Sequence, residues 1–592
     1  MADRSQWDTV AAVLADAGCS LVTGLPSDEP GLLDAAGRRP GLTALPVRDQ
    51  RVAACAAIGH ATASGRPAVV AVDSGPSFSN ALTGLLEASS LCCPVVVVTT
   101  RIPVAGLGRG GFQQLDQATM AGPLVKWSVL VESAEQLRWA LRRAVHLSVN
   151  GTPGVVLVEI AAEVLAGDPV DPAPTGEPVA RVRSVADDAS LERAAALLAS
   201  ASAPVVVAGG GAKAAGAQLR ALAERLGAPV FTTASGRGVI DEEHPLAHGL
   251  VGLYAGPAAL RILDAADVVL LVGSRLEETA RTGWTGLDDK RFIQVDCESA
   301  VFSTVVEPAV PLLGDAALTL GRLGELAAAA GPVAPPCWAG PAEPALPWSD
   351  GPWSGEPWSD GSRSDGSRSD GSRSDGSRSD GPQQLTARHA FGALTQVFGR
   401  DLTLVQENGL HDIWGYQYPV LTVSDRTTLV VPGEQTMVGF GLGAALGAAV
   451  ARPQRPTVLV CGDGAFEMSL AALPTIAENG YGLTVLVFDN RGFGWPRYLR
   501  DLDGAPTDVT RFPAPSHAAA TVAALGGWTA RPTTPAELVG ALEEARRHNA
   551  EGRMALLTIG VDDGDVPTSV RRVFGSVVGA VVSTASGSPE RP

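Results

Sequence analysis

The apolar run 458–461 (VLVC) ends in Gly462-Asp463-Gly464, and a second run, 483–488 (LTVLVF), ends in Asp489-Asn490-Arg491-Gly492. A carboxylate at a strand's C-terminal tip, flanked by glycines that let backbone N–H groups approach an anion, suits a hard cation bridging to phosphate oxygens. Taken alone, Gly-Asp-Gly is a common turn. The second run changes that reading, because the twenty-six residues between Asp463 and Asn490 hold one helix and one strand, which in a parallel sheet brings the next strand tip beside the first. Magnesium takes few protein ligands and completes its octahedron with diphosphate oxygens and water. The candidate metal ligands are therefore Asp463, the Asn490 side-chain oxygen and the backbone carbonyl of Gly492.

These groups need a parallel α/β scaffold, and the chain reads as one. Runs 68–72 (AVVAV), 95–98 (VVVV) and 155–160 (VVLVEI), bounded by Gly or Pro, have the pattern of buried parallel strands separated by crossover helices. A second series runs through 204–208, 229–232, 268–272 and 291–295, and a third through 402–406, 457–461, 484–489 and 555–559. A chain of 592 residues is too long for one core. The expected division is 1–170, 185–330 and 385–565, with a tail at 566–592. Between the second and third domains, residues 331–382 carry tryptophans at 348, 353 and 358 and then Ser-Asp-Gly-Ser-Arg repeats. That composition cannot bury enough surface to offset chain entropy and predicts a disordered linker.

A formal charge of −18 argues against nucleic-acid or anionic-membrane partners, which need clustered Lys and Arg, and points to a small-molecule partner. Seven cysteines without a repeating spacing form no disulfide or zinc framework and suit a reducing cytoplasm. The polar start and the lack of a long apolar stretch support neither a signal peptide nor a membrane span.

Residues 462–492 resemble the diphosphate-binding motif of the thiamine-diphosphate enzymes, a Gly-Asp-Gly followed at fixed distance by Asn and Gly. The stretch 407–414 (ENGLHDIW) is similar to the acetolactate synthase segment that opens this domain, which implies that Gly409 and His411 lie near the diphosphate. Residues 433–448 (GEQTMVGFGLGAALGA), beginning at Gly433, resemble the next family block, whose bulky residue before a glycine supports the bent cofactor. Ungapped, that residue is Val438; Met437 is the alternative, since the family prefers Met or Leu. The resemblance assigns Gly462, Asp463, Gly464, Ala465 and Asn490 to the cofactor as well. In the first domain, 47–65, 74–84, 111–113 and 123–126 look like the pyrimidine-binding domain of the acetolactate synthase group, with Phe112 and Gln113 aligned to substrate-pocket residues.

The resemblance implies three doubly wound parallel-sheet α/β domains in the order pyrimidine-binding, central and diphosphate-binding. It also implies a homodimer or homotetramer with the cofactor between the first domain of one subunit and the third of its partner. The implied activity is thiamine-diphosphate- and Mg²⁺-dependent decarboxylation or carboligation of a 2-oxo acid such as pyruvate, leaning toward acetolactate-synthase-like ligation. The alternatives are a simple 2-oxo acid decarboxylase and a catalytically degraded cofactor-binding homologue. The last alternative arises because Asp49 stands where the family carries the Glu that hydrogen-bonds the aminopyrimidine. One methylene fewer withdraws the carboxyl by roughly 1.5 Å, enough to weaken that bond. Asp49 is expected to keep the role. The glycine run 209–211 leaves FAD open in the central domain, where acetolactate synthases bind it, although 275–278 (RLEE) departs from the Arg-Phe-Asp-Asp run of the FAD binders. A nicotinamide-dependent enzyme is disfavoured because 209–211 lacks the Gly-x-Gly-x-x-Gly spacing.

Overall fold

Runs of β-branched residues form the interior strands of three sheets in the computed structural model, which describes residues 5–169, 177–329 and 385–574 apart from 563 and 568. The linker expected at 331–382 lies outside the described residues. Each sheet has six strands, and their pairings are parallel. Helices cover both faces, so a central strand such as Val155–Ala161 is buried at every position.

The first sheet runs Thr43–Pro46, Leu21–Gly24, Ala68–Val72, Val95–Arg101, Val155–Ala161, Trp127–Val131. The third repeats this order with Thr428–Val430, Thr403–Gln406, Thr457–Gly462, Leu483–Asp489, Ala555–Gly560 and Trp528–Ala530. In both, the second strand in sequence lies outside the first, and the chain reverses direction across the sheet between the first and third strands. The middle sheet runs Val310–Leu313, Arg291–Asp296, Val268–Val272, Pro204–Ala208, Val230–Thr232, Ala247–Leu250, the order of dinucleotide-binding domains. Three doubly wound α/β domains are thus present.

The first and third domains meet through helices Gln50–Ser64 and Gly441–Ala451, which are rich in Ala and Gly. The backbones touch: a Cβ on Gly59 would lie 1.9 Å from the Ala444 carbonyl oxygen, and one on Gly447 would lie 1.8 Å from that of Ala56. Only glycine permits such an approach.

The expected tail at 566–592 needs correction at its start. Val566 and Val570 are buried against Ile413, and Phe574 meets Trp495 edge-on at 5.3 Å. These apolar side chains, spaced along the chain to face one way, give the segment surface to bury. Among the described residues no helix is long and apolar enough to cross a membrane.

The helix crossing predicts opposite outcomes for one substitution at two sites. Gly447→Ala should destabilise the protein by about 1–3 kcal/mol through overpacking. Gly540→Ala, in helix Pro535–Ala550 with nothing within 4 Å of the added Cβ, should stabilise it by roughly 0.5–1 kcal/mol. Urea unfolding of both variants checks this; equal effects would contradict the crossing.

Candidate active site

In an open parallel sheet, ligands bind beyond the strand tips where the connections diverge to opposite faces. In the third domain that point lies between Thr403–Gln406 and Thr457–Gly462, and a cavity of about 170 Å³ opens there. Gly409 and His411 reach it from the first of these strands, and Gly462, Asp463, Gly464 and Ala465 from the second. Asn490 and Gly492 arrive from the tip of Leu483–Asp489. The two sequence runs are therefore neighbours in space, as their spacing predicts.

Asp463 is 1% exposed. Its Oδ1 accepts from the Gly464 N–H at 2.9 Å and its Oδ2 from the Gly492 N–H at 3.1 Å. Burial, with smaller contributions from the Asp489 and Glu467 carboxylates, pushes it up to about 6 against those two donors. Gly492 closes in because it has no side chain: a Cβ there would lie 2.1 Å from the Thr510 carbonyl oxygen. The His411 ring stacks on Phe488 at 5.9 Å and 12°. Burial drops its pKa to about 4, so it is neutral at physiological pH, and its buried Nε2 has no hydrogen-bond partner. A buried carboxylate held by two backbone N–H groups, beside an unpartnered imidazole nitrogen on one small cavity, fits a site built for a cation.

Val438, not Met437, lines this cavity. Met437 turns the other way, with its Sδ 3.9 Å from Cys55 Sγ and its N–H donating to Glu87 Oε2 at 2.9 Å. Gly433 also lies elsewhere, on a larger cavity of about 1160 Å³ between the domains. No residue of the first domain lines the Asp463 cavity. Asp49 caps helix Gln50–Ser64, its Oδ1 accepting from Arg51 N–H at 2.8 Å and Val52 N–H at 3.1 Å, and Arg51 in turn donates to the Met468 carbonyl. Phe112 is 85% exposed. Gln113, at φ 57°, packs against Gly75. Within one chain, then, Asp49, Phe112 and Gln113 are not brought to the Asp463 cavity.

Three family models match in succession: "Thiamine pyrophosphate enzyme, N-terminal TPP binding domain" over residues 6–120, the corresponding "central domain" over 191–323, and the "C-terminal TPP binding domain" over 407–559. The chain belongs to the thiamine pyrophosphate enzymes. Within them it is acetolactate synthase-like. It is 29% identical over 476 residues to an acetolactate synthase of Arthrospira platensis, covering 77% of this chain and 75% of that protein. To the large subunit of acetolactate synthase isozyme 1 of Escherichia coli it is 26% identical over 489 residues, 81% of each chain. To the acetolactate synthase large subunit of Corynebacterium glutamicum it is 28% identical over 463 residues, 77% of this chain and 70% of that one.

This thiamine pyrophosphate enzyme buries Glu87, Glu407 and Asp412 at the seam between its domains. Glu87 is fully buried and bonds the backbone of Gly433 and Met437. Burial pushes Glu407 up to about 7 and lifts Asp412 well above the carboxylate range, with Asp412 Oδ1 left unpartnered. Glu407 and Asp412 stand inside the motif 407–414, but nothing in that motif shows their burial. Glu87 is the one acid in the helix Pro76–Ser90, which is the sole signal the sequence offers for it. In the central domain, Gly209 and Gly211 pack against Gly273, where a Cβ on Gly209 would lie 2.3 Å from the Gly273 oxygen. Lys213 follows on the wall of the large cavity, with its side chain exposed.

The raised Asp463 carboxyl has a pH signature. In the unfolded chain it titrates near 3.8 and in the folded, cation-free protein near 6, so the native state holds the extra proton between those values. Stability from this group is present below about pH 4 and lost as pH rises through about 6. The loss amounts to roughly 3 kcal/mol. Asp463→Asn removes it, so in EDTA the variant should gain on wild type by about 2–3 kcal/mol between about pH 4 and pH 7. Parallel stability curves from urea unfolding would contradict the assignment.

Proposed function

We propose that the protein decarboxylates a 2-oxo acid such as pyruvate and transfers the resulting two-carbon unit to a second carbonyl compound, as an acetolactate synthase does. The observation that carries this is the buried Asp463 carboxylate, set at the strand tips beside Asn490 and the orphaned His411 Nε2. Bound thiamine diphosphate would supply the electron sink for the pair released when carbon dioxide leaves. Asp463, the Asn490 side chain and the Gly492 carbonyl would hold Mg²⁺, whose charge offsets the cost of keeping Asp463 ionised in a buried site. The backbone of Gly409, Gly462, Gly464 and Ala465, together with His411, would face the diphosphate. Val438 would support the cofactor from below, a role for which Met437 is turned away.

Asp49 would exchange a proton with the aminopyrimidine, and Phe112 and Gln113 would border the substrate. Since one chain leaves these three outside the Asp463 cavity, they would come from the first domain of a second copy, which makes a homodimer the smallest active unit and a homotetramer a pair of these. Asn80, whose Nδ2 lies 3.4 Å from Asp49 Oδ2, and the two capping N–H groups would fix the carboxylate's direction. An FAD, if the enzyme carries one, would occupy the large cavity at the switch point of the central domain. With the glycines 209–211 spent on packing, its phosphates would depend on Lys213. The six unpaired cysteines among the described residues suit a reducing cytoplasm.

Pyruvate with added thiamine diphosphate and Mg²⁺ should release carbon dioxide, with acetolactate among the products. Asp49→Asn, which keeps the shape and loses the proton acceptor, should lower kcat by roughly 100-fold or more. Asp49→Glu should retain activity. The reading fails if neither wild type nor Asp49→Glu releases carbon dioxide from a panel of 2-oxo acids.

A further inference from the structure

The three domains meet on the segment that leads to Val438. From the first domain, Glu87 reaches it with a side chain that is 0% exposed. Its Oε1 accepts from the Gly433 N–H, and its Oε2 accepts from the Met437 N–H at 2.9 Å. From the middle domain, Thr279 donates to Glu434 through its N–H at 2.9 Å and its hydroxyl at 2.8 Å. From the third, Asn408 Nδ2 donates to the Thr436 carbonyl at 2.9 Å. The segment itself is bent, with Thr436 at φ 47°. Gly433 has no room for a side chain, since a Cβ would lie 2.8 Å from Ser90 Oγ and 3.1 Å from Glu87 Oε1.

We propose that Glu87 is a positioning residue for the cofactor: by gripping the segment at Gly433 and again at Met437, it fixes where Val438 stands in the diphosphate cavity. This rests on the thiamine-diphosphate reading above. The partners of the carboxylate are backbone N–H groups, so it acts as a two-pronged acceptor, and such charge-assisted bonds are shorter and more directional than neutral ones. Burial raises the Glu87 carboxyl while both N–H groups pull it back down. Two acceptor oxygens serving two donors four residues apart leave the loop one register, with Met437 directed to Cys55 and Val438 to the cavity. Glutamine fills the same space but offers one acceptor, and its amide N–H₂ would face a backbone N–H.

The test is a calorimetric titration of thiamine diphosphate with Mg²⁺ into the full-length protein. It compares wild type with Glu87→Gln and with Gly433→Ala, which crowds the same carboxylate from the loop side. Both variants should show a cofactor Kd raised by roughly tenfold or more. The KM for the 2-oxo acid at saturating cofactor should stay within about twofold of wild type. Should Glu87→Gln fail to fold, Gly433→Ala decides. A lower Tm with an unchanged Kd would make Glu87 a structural residue only and overturn the proposal. A wild-type protein that takes up no thiamine diphosphate would instead remove the underlying reading, and the positioning role with it.

Discussion

A carboxylate buried at the tip of a central strand, with two backbone N–H groups for company, is the constraint around which the third domain is arranged. Asp463 costs the cation-free protein stability at neutral pH, a cost that the cation of the proposed function would remove. The strand order sets Thr403–Gln406 on one side and Leu483–Asp489 on the other, which delivers His411 and Asn490 to the same cavity. Gly492 then closes against Asp463 because nothing larger fits beneath Thr510. With that cation bound, binding energy and folding energy would be linked, as in sites where an ion supplies the charge the protein omits.

The first domain is held to this site by packing and by polar contacts of different kinds. Small residues let helices Gln50–Ser64 and Gly441–Ala451 come into backbone contact, and Gly441–Ala451 begins directly after the loop that carries Val438. Glu87 secures that loop from the other side. The same docking keeps Asp49 on the Met468 side of the chain through Arg51, so a single subunit presents the Asp463 cavity and the Asp49 carboxylate at separate places. Under the proposed function, that division would require a catalytic unit of two chains.

Most interior strands were legible because both faces are buried, which leaves continuous apolar runs such as AVVAV at Ala68–Val72. The edge strands were not. Thr43–Pro46 buries one residue of its four, and Trp528–Ala530 is half-buried throughout, so neither carries a run. Leu21–Gly24 is fully interior yet too short, with Thr and Gly in half its positions. At the site, Asp463 and Asn490 could be read from local spacing at strand tips, and Gly409 and His411 from the resemblance of 407–414 to a family segment. The choice between Met437 and Val438 could not, since it depends on a contact with Cys55 some 382 residues away. The role of Glu87 could not be read for the same reason, its partners lying 346 and 350 residues along the chain.

Reciprocal dependence of cofactor and cation binding tests the central claim most directly. Thiamine diphosphate titrated calorimetrically into the dialysed wild-type protein should bind only weakly in EDTA and at least about tenfold more tightly with Mg²⁺. Mg²⁺ titrated with and without the cofactor should show the same factor. Equal affinity for thiamine diphosphate in EDTA and in Mg²⁺ would contradict the account of Asp463.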